Sequence, residues 1–404
     1  MLKAAIVGVS GFGRVHYEDL IRYYNKGEIS IVGATVINQD EEKEKCEKLK
    51  SIGCKLFTDF NQMLDELKGS VDICFIPTGI SLHAPMSIAA VNAGMNVYVE
   101  KPITAIVPEL EEMKAAEKSS GKFIAVGYQS IYQPITAKIK RTILEGKIGK
   151  IDVIKFFGLT IRDKKYYTRN NWAGCIKRGE SWILDSPFNN AMAHQLNLLC
   201  FFAGNSFEET AKLKTVQANL FRTNPSIQNA DNAAIEIVTQ DNIKLLYYAT
   251  HNSSEIQELP IIIRGSKGFI KHTFTKTVFN IDGNEECIDN NDSRDHIMDA
   301  LIAKIQGKEN FICTLDIAGA QTIAMNATHA SASVTPVPSE YVETLDNNDS
   351  TYECLKDISK IIPQAFNEER LLNTQDYPWM QTGKVIDVQN DDIIQLIKEN
   401  TKGN

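Results

Sequence analysis

A glycine-rich turn near the start of the chain constrains its fold more than any other feature. The turn, Gly8-Val9-Ser10-Gly11-Phe12-Gly13, follows a short apolar run and precedes a helical pattern. A strand, a glycine turn and a helix in this order are typical of dinucleotide-binding folds, in which backbone N–H groups at the helix N-terminus approach a pyrophosphate. Gly8 and Gly13 match the first and last glycines of that fingerprint, and Ser10 occupies the middle position. We therefore predict a cofactor contact at Gly8, Ser10, Gly11, Phe12 and Gly13.

The same alternation of strand and helix continues through the first third of the chain. The apolar, β-rich runs are Ala4–Gly8, Ile29–Val36, Lys55–Thr58, Val71–Pro77, Met95–Val99 and Lys122–Val126. Helical patterns fill most of the intervals between them. Repeated strand–helix–strand units imply right-handed crossovers and a parallel sheet covered on both faces. We therefore predict an α/β architecture that begins with a doubly wound Rossmann domain over residues 1–126.

Composition narrows the class of protein. The 404 residues carry 43 basic and 51 acidic side chains, for a formal net charge of −8. This balance is unfavourable for binding nucleic acid or an anionic membrane surface, and no apolar stretch approaches the ~20 residues of a membrane span. The eight cysteines have no metal-ligand spacing. We expect reduced thiols, no metal site and a cytoplasmic location.

The second strand leaves the choice of cofactor open. An acidic residue at its end, ~20 residues beyond the glycines, normally holds the adenosine ribose of NAD. Val36 lies about where that acid is expected, and Asn38 can bond a ribose hydroxyl. No arginine lies at the end of this strand to bind the 2′-phosphate of NADP. Because neither the acid typical of NAD nor the arginine typical of NADP is present, both cofactors remain candidates.

The fifth strand ends in Glu100-Lys101-Pro102. Ligands of such folds bind at the carboxyl edge of the sheet, and a lysine there can bond a reacting oxygen or relay its proton. The simpler alternative is a surface lysine paired with Glu100.

Several motifs together resemble the glucose–fructose oxidoreductase/inositol dehydrogenase (Gfo/Idh/MocA) family. They are Glu100-Lys101-Pro102, the preceding Pro77-Thr78-Gly79 and His83, then Gly127-Tyr128-Gln129 and Gly146–Lys150. The resemblance covers roughly residues 1–335. It implies an NAD(P)-dependent enzyme with Lys101 as a catalytic lysine near the nicotinamide and the sugar hydroxyl, and proline permits a cis bond after Lys101. The cofactor residues that it adds are Thr78, His83, Glu100, Lys101 and Gln129.

Longer strands that alternate apolar and polar residues follow. They are Ile151–Ile161, Lys212–Phe221, Ala233–Val238, Lys244–Thr250 and Ile261–Arg264. This pattern predicts a second, α+β domain over residues 127–345 with a large, mostly antiparallel open sheet. The family resemblance implies that this domain binds the substrate. It also implies that the outer face of the sheet makes the subunit contacts of a homo-oligomer, either a dimer or a tetramer.

The segment Pro187–Phe202 is predicted to be one helix that carries chemistry. Asn190, His194 and Asn197 fall on one face of it. A satisfied core histidine is the simpler interpretation of His194, but it matches the family histidine that exchanges a proton with the substrate hydroxyl. Asn190 stands where the family usually has an aspartate and cannot take a proton. Asp185, just before the helix, either substitutes for that aspartate or acts as a second cap.

The loop that precedes this helix is rich in cations and aromatic residues. Aromatic rings stack on sugar faces, and arginine and asparagine donate to hydroxyls or anionic groups. From residues 162–182 we select Tyr167, Arg169, Asn170 and Trp172, with Asp185 and His194, as substrate-binding candidates. For His251, an ordinary edge histidine and a pocket residue both remain open.

Residues 346–404 form a C-terminal extension that the resemblance does not explain. Ser350 and Glu353 have the spacing of a capping box, which predicts a helix through Ile361. The extension is expected to pack on the core or on a neighbouring subunit.

Together with the family resemblance, these patterns predict an oxidoreductase that transfers a hydride between NAD or NADP and a hydroxyl of a sugar, sugar derivative or cyclitol. In that mechanism His194 removes the hydroxyl proton, Lys101 bonds the oxyanion and Asn190 orients the pair. Two alternatives stay open. One is a glycosidase that oxidises its substrate transiently, and the other is a cofactor-binding sensor without turnover.

Overall fold

The computed structural model describes residues 1–258 and 260–402. They divide into two compact units. The first contains Met1–Gln133 and Asp292–Gly319, and the second contains Pro134–Asn291 and the residues from Ala320 onward. The chain therefore returns to its first unit at Asp292–Gly319, whereas the predicted boundaries kept residues 127–345 in one domain. The extension belongs to the second unit.

The first unit is a Rossmann fold. Its strands are β1 (Leu2–Val7), β2 (Ile29–Thr35), β3 (Lys55–Phe57), β4 (Ile73–Ile76), β5 (Asn96–Val99) and β6 (Ile124–Val126). Its first helices are α1 (Gly13–Asn25), α2 (Lys43–Ser51), α3 (Phe60–Leu67), α4 (Ile80–Asn92) and α5 (Val107–Ser120). All the strand pairs are parallel, in the order β3-β2-β1-β4-β5-β6. This order places the carboxyl ends of β1 and β4 side by side, where such folds bind nucleotides.

The second unit contains a mixed sheet of 11 strands. The remaining strands of the chain are β7 (Ile151–Ile161), β8 (Lys177–Arg178), β9 (Ser181–Trp182), β10 (Leu213–Arg222), β11 (Asn232–Thr239), β12 (Lys244–Thr250), β13 (Asn252–Glu258), β14 (Ile261–Gly265), β15 (Gly268–His272), β16 (Lys276–Ile281), β17 (Asn284–Asp289), β18 (Thr335–Pro336), β19 (Val342–Asn347), β20 (Ser350–Leu355) and β21 (Ile386–Asp387). The remaining helices are α6 (Pro134–Leu144), α7 (Lys164–Thr168), α8 (Ala193–Phe202), α9 (Asp295–Ile305), α10 (Leu315–Ser331), α11 (Ile358–Glu368) and α12 (Ile393–Asn400).

The path through this sheet is β17-β16-β15-β14-β7-β12-β11-β10-β18, and β13 and β21 pair with β7 and β10. The pairs β7–β12 and β10–β18 are parallel and the others are antiparallel. The predicted fold class, a parallel Rossmann sheet followed by a large and mostly antiparallel sheet, is confirmed.

Ion pairs hold the returning segment to the first unit. Arg294, just before α9, bonds Asp19 of α1 at 2.6 Å, and Asp295 accepts a hydrogen bond from Arg22 at 2.7 Å. Asp19 is buried, so its negative charge requires a cation such as Arg294 beside it. Such long-range pairs leave no local pattern in the sequence, so the sequence-based boundaries assigned residues 292–319 to the second domain.

The capping box predicted at Ser350 and Glu353 is wrong. Both residues lie in β20, which forms an antiparallel hairpin with β19. Asn348, in the turn of this hairpin, has a φ of 52°, a conformation that asparagine tolerates better than most residues. Helix α11 begins only at Ile358, after the hairpin.

None of the helices in the described part of the chain has both the length and the apolar composition needed to cross a membrane.

Candidate functional site

The glycine turn joins β1 to α1 in the conformation that the fingerprint requires. Gly8 and Gly11 have φ values of 85° and 54°, in the left-handed region that favours glycine. A side chain at Gly13 would place its Cβ 2.7 Å from the carbonyl oxygen of Gly8. The turn is therefore tight and leaves its outer side open. Phe12, at its tip, is 51% exposed.

A cavity of about 720 Å³ lies beside this turn, within the first unit. Four predicted cofactor residues line it, namely Gly8, Ser10, Asn38 and Thr78. Its apolar walls include Ile37, Leu82 and Met86. This volume and this mixture of apolar walls with a few polar groups suit the adenosine half of a dinucleotide. The residues present thus fit the predicted cofactor.

The polar groups at the end of β2 form a small network. The amide nitrogen of Asn38 lies 3.1 Å from the Ser10 hydroxyl and 2.9 Å from the Glu41 carboxylate. Among the described residues that line the cavity, Asp59 carries the only formal charge, and none is lysine or arginine. Lys45, on α2, is held by Val9 and Glu42. The described lining of the cavity therefore offers hydrogen bonds to ribose hydroxyls and no lysine or arginine for the 2′-phosphate of NADP.

Glu100 anchors the motif at the end of β5. Its carboxylate accepts from the backbone N–H of Lys101 at 3.1 Å and lies 2.8 Å from Nε2 of the buried His16. Burial raises the pKa of Glu100, but the hydrogen bond to His16 and the nearby charges of Lys101 and Arg294 outweigh it, so that the pKa lies below its usual value. Glu100 is thus a fixed carboxylate that sets the backbone of Lys101. The Lys101–Pro102 bond is cis.

His83 connects the segments that follow β4 and β5. Its Nδ1 lies 2.8 Å from the carbonyl oxygen of Pro102, and its Nε2 lies 3.0 Å from that of Thr78. Burial lowers the pKa of His83, although both carbonyl oxygens oppose this effect. His83 therefore connects the backbone at Thr78 to the backbone at Pro102, in the two segments where cofactor contacts are predicted. Gln129, which begins the short 3₁₀ helix Gln129–Tyr132, accepts from Arg294 at 3.4 Å.

The predicted helix Pro187–Phe202 is two elements rather than one. Residues Pro187–Ala191 form a π-helical turn, in which the N–H of Met192 bonds the carbonyl of Pro187 at 2.7 Å. The hydroxyl of Ser186 caps this turn by accepting from the N–H of Asn189 at 3.2 Å. Helix α8 begins at Ala193 and carries His194, which is partly exposed. π-turns change the direction of side chains and are frequent at functional sites.

Asp185 and Asn190 are brought together by this turn. One oxygen of Asp185 accepts from the side-chain amide of Asn190 at 2.9 Å, and the other accepts from the N–H of Gly174 at 2.7 Å. Asp185 is only 3% exposed. Because the amide nitrogen of Asn190 donates to Asp185, the side-chain oxygen of Asn190 acts only as an acceptor. A buried carboxylate therefore lies beside Asn190.

The cation-rich loop forms an aromatic cluster around α7. The guanidinium of Arg169 lies 3.6 Å from the centre of the Tyr166 ring and 5.5 Å from that of Trp172. The Tyr167 hydroxyl lies 2.8 Å from Nδ1 of His251. Burial, followed by the charges of Arg162 and Arg169, lowers the pKa of His251 well below its ordinary value, so the imidazole is neutral.

Among the substrate candidates, Asn170 has a structural role. Its side-chain oxygen accepts from the N–H groups of Trp172 and Ala173 at 3.0 and 2.8 Å. It therefore shapes the loop that presents Arg169 and Trp172.

Asp231 was not singled out from the sequence. Its carboxylate accepts from the N–H groups of Thr223 and Asn224, both at 2.8 Å. Burial raises the pKa of Asp231 to about 6, against these hydrogen bonds. The partners lie in a turn between two strands, so no local motif marks the residue.

A pH-dependent stability follows from Asp231. The pKa of Asp231 is higher in the folded protein than in the unfolded chain, so the folded protein binds this proton more tightly. The stabilisation that this proton gives the fold is complete below pH ~4 and is lost as the pH rises through ~6. From pH 5 to pH 7, the free energy of unfolding of the native protein should fall by about 1 kcal/mol more than that of Asp231→Asn. Urea unfolding of both proteins at these two pH values measures the difference. Identical changes in the two proteins would refute the assignment.

In the described residues, no cluster of three or more histidine, cysteine, aspartate or glutamate side chains has the arrangement of a metal site.

Comparisons with known proteins agree with this geometry. The sequence profile of GFO_IDH_MocA, "Oxidoreductase family, NAD-binding Rossmann fold", matches residues 2–128. Scyllo-inositol 2-dehydrogenase (NAD(+)) of Bacillus subtilis is 30% identical over 153 residues, which are 37% of this chain and 42% of that protein. An inositol 2-dehydrogenase/D-chiro-inositol 3-dehydrogenase of Halalkalibacterium halodurans is 22% identical over 215 residues, 52% of this chain and 55% of that protein. The aligned segments thus span only about half of these relatives or less.

The fold extends further than the sequence similarity. The WlbA dehydrogenase of Bordetella pertussis, solved in complex with NADH and UDP-GlcNAcA, superposes with a TM-score of 0.66 at 18% identity. The superposition covers 81% of this chain and 95% of that one. This likeness establishes that the two proteins share a fold.

Proposed function

We propose that this chain, which belongs through its NAD-binding domain to the Gfo/Idh/MocA oxidoreductase family, is a dehydrogenase that oxidises a hydroxyl of a sugar, sugar derivative or cyclitol. The observation that carries the proposal is the cavity beside the glycine turn, in the same unit in which Glu100-Lys101-Pro102 follows the fifth strand. A nucleotide cavity alone supports binding, whereas a lysine at the carboxyl end of the sheet supports chemistry.

NAD, when bound, supplies a nicotinamide that accepts a hydride from the substrate carbon. The residues of the chain bind, orient and move the proton. Lys101, whose backbone is set by the buried Glu100, donates a hydrogen bond to the substrate oxygen as its negative charge develops. His194 accepts the hydroxyl proton as general base. Asn190, held by Asp185, accepts a hydrogen bond and so orients the pair formed by His194 and the substrate hydroxyl.

The substrate is proposed to be polar and to carry a negative charge or several hydroxyls. Arg162 and Arg169 stack on Tyr166, and no ion pair to a carboxylate within the described residues neutralises either guanidinium. Arginines held in place by aromatic rings bind carboxylate and phosphate groups well. The similar proteins support both chemistries, since some are named as inositol dehydrogenases and the WlbA complex contains UDP-GlcNAcA.

We expect NAD to bind at least about tenfold more tightly than NADP, because the described residues that line the cavity offer the carboxylate of Asp59 and no lysine or arginine to a 2′-phosphate. Fluorescence titration of the protein with each reduced cofactor measures the ratio. Asn38→Arg supplies the missing cation and should raise the affinity for NADP. Equal affinities in the native protein, or an unchanged affinity for NADP in the variant, would contradict this assignment.

Steady-state turnover with a panel of cyclitols, sugars, sugar acids and UDP-sugars tests the proposed function. Formation of reduced nicotinamide with at least one member is the expected result. Cleavage of a nitrophenyl glycoside without net formation of reduced cofactor would indicate the transient-oxidation glycosidase. Bound NAD without turnover of any member would indicate a sensor.

A further inference from the structure

The C-terminal extension covers one face of the large sheet. We call residues 342–385 the cover segment. On the sheet side, the buried contact residues include Phe157 and Leu159 of β7, Phe221 of β10, and Leu246 and Tyr248 of β12. The pairing register sets Tyr248 directly beside Phe157, so these side chains belong to one face. The cover segment contributes the buried side chains Leu355, Ile358, Ile362, Phe366, Leu372 and Tyr377.

Ring contacts show how closely the two sides fit. Phe366 of α11 packs edge-on against Phe157, with ring centres 5.0 Å apart, and also against Tyr248 at 6.2 Å. Trp379 packs against Phe221 at 5.8 Å. Aromatic pairs in this geometry stabilise a contact beyond the area that they bury. The cover segment is therefore part of the hydrophobic core of the second unit.

Polar groups of the sheet face are matched to the backbone of the cover segment. The Tyr248 hydroxyl donates to the carbonyl of Arg370 at 2.8 Å. The side chain of Asn219 donates to the carbonyl of Leu372 at 3.1 Å and accepts from its N–H at 3.0 Å. Lys155 donates to the carbonyl of Phe366 at 3.0 Å and to Glu369 at 2.7 Å. Buried polar groups are costly without partners, so this face is suited to this segment.

The outer side of α11 is polar. Lys360, Gln364, Asn367 and Glu368 are exposed at helical spacing, opposite the buried Ile358, Ile362 and Phe366. A helix between two apolar surfaces would be apolar on both sides. The helix is therefore suited to a covered sheet below and to water above.

We propose that the cover segment takes the place of a second copy of the chain on this sheet face, so that the protein is a monomer in solution. This replaces the sequence-based expectation of a dimer or tetramer through the sheet. The inference rests on the packing of the second unit alone and is independent of the proposed function.

Light scattering after size exclusion of the native chain decides the point. We expect the monomer mass of 45.1 kDa from micromolar to near-millimolar concentration. A native dimer, including one in which two chains exchange their cover segments, would overturn the proposal.

Two variants on α11 test the reason for the monomer. Phe366→Asp puts a charge into the buried contact and should expose the sheet face, giving binding of an apolar dye and self-association. Lys360→Glu, on the exposed side of the same helix, should behave as the native chain does. A Phe366→Asp protein that stays compact, monomeric and free of dye would also overturn the proposal. If that variant fails to fold, the mass of the native chain still decides.

Discussion

Lys101→Ala is expected to lower turnover by ~10²–10⁴-fold while leaving the affinity for NAD within about twofold. The loss should be this large because the lysine is proposed to bond an oxygen whose charge develops only in the transition state. The backbone at this position is fixed by Glu100 and is not disturbed by shortening the side chain. Steady-state kinetics and cofactor titration on one preparation separate the two effects.

Lys118→Ala is the matched control, since Lys118 is an exposed lysine on α5 of the same unit. It removes the same charge from the unit and should change neither quantity. A parallel loss of turnover and of NAD affinity in Lys101→Ala would show that the lysine serves cofactor binding, and the assigned catalytic role would then be wrong.

The second large effect is expected at Asp185. Asp185→Asn removes the negative charge beside Asn190 and turns one of the two oxygens that accept from Gly174 and Asn190 into a donor. We expect kcat/KM to fall by ~10²-fold because Asn190 is no longer held in position.

An exchange of the two side chains separates positioning from stability. The double variant Asp185→Asn/Asn190→Asp restores one carboxylate and one amide donor between them, so it should recover part of the lost activity. Asp163→Asn, at the cap of α7, changes a carboxylate in the same loop and should have little effect. A double variant no more active than the single one would show that Asp185 only supports the fold.

The Rossmann part of the first unit, residues 1–126, was predictable from the sequence because its signals are local. Each strand is an apolar run closed by turn residues, and the parallel pairing of the strands follows from the crossovers once strands and helices alternate. In the second unit, β7 and β12 were predicted with their observed bounds, Ile151–Ile161 and Lys244–Thr250, since their residues are largely buried and of high β-propensity.

The features that were missed depend on contacts between distant residues. The spacing of Asn190 and His194 indicates a continuous helix, whereas the hydrogen bond from Met192 to Pro187 inserts a π-turn between Asn190 and α8. Ser350 and Glu353 have helical spacing, but pairing of β20 with β19 overrides that local preference. Asp231 is recognised only through the backbone N–H groups of Thr223 and Asn224, which have no sequence signature.

A single-turnover measurement shows whether this protein transfers a hydride from a sugar or cyclitol to NAD. The protein, saturated with NAD, is mixed with each member of the substrate panel, and the absorbance of reduced nicotinamide is followed over time. We expect the native chain to form reduced nicotinamide in an amount approaching the concentration of sites, and Lys101→Ala to form it ~10²-fold or more slowly. No reduction by any member, although NAD is bound, would contradict it.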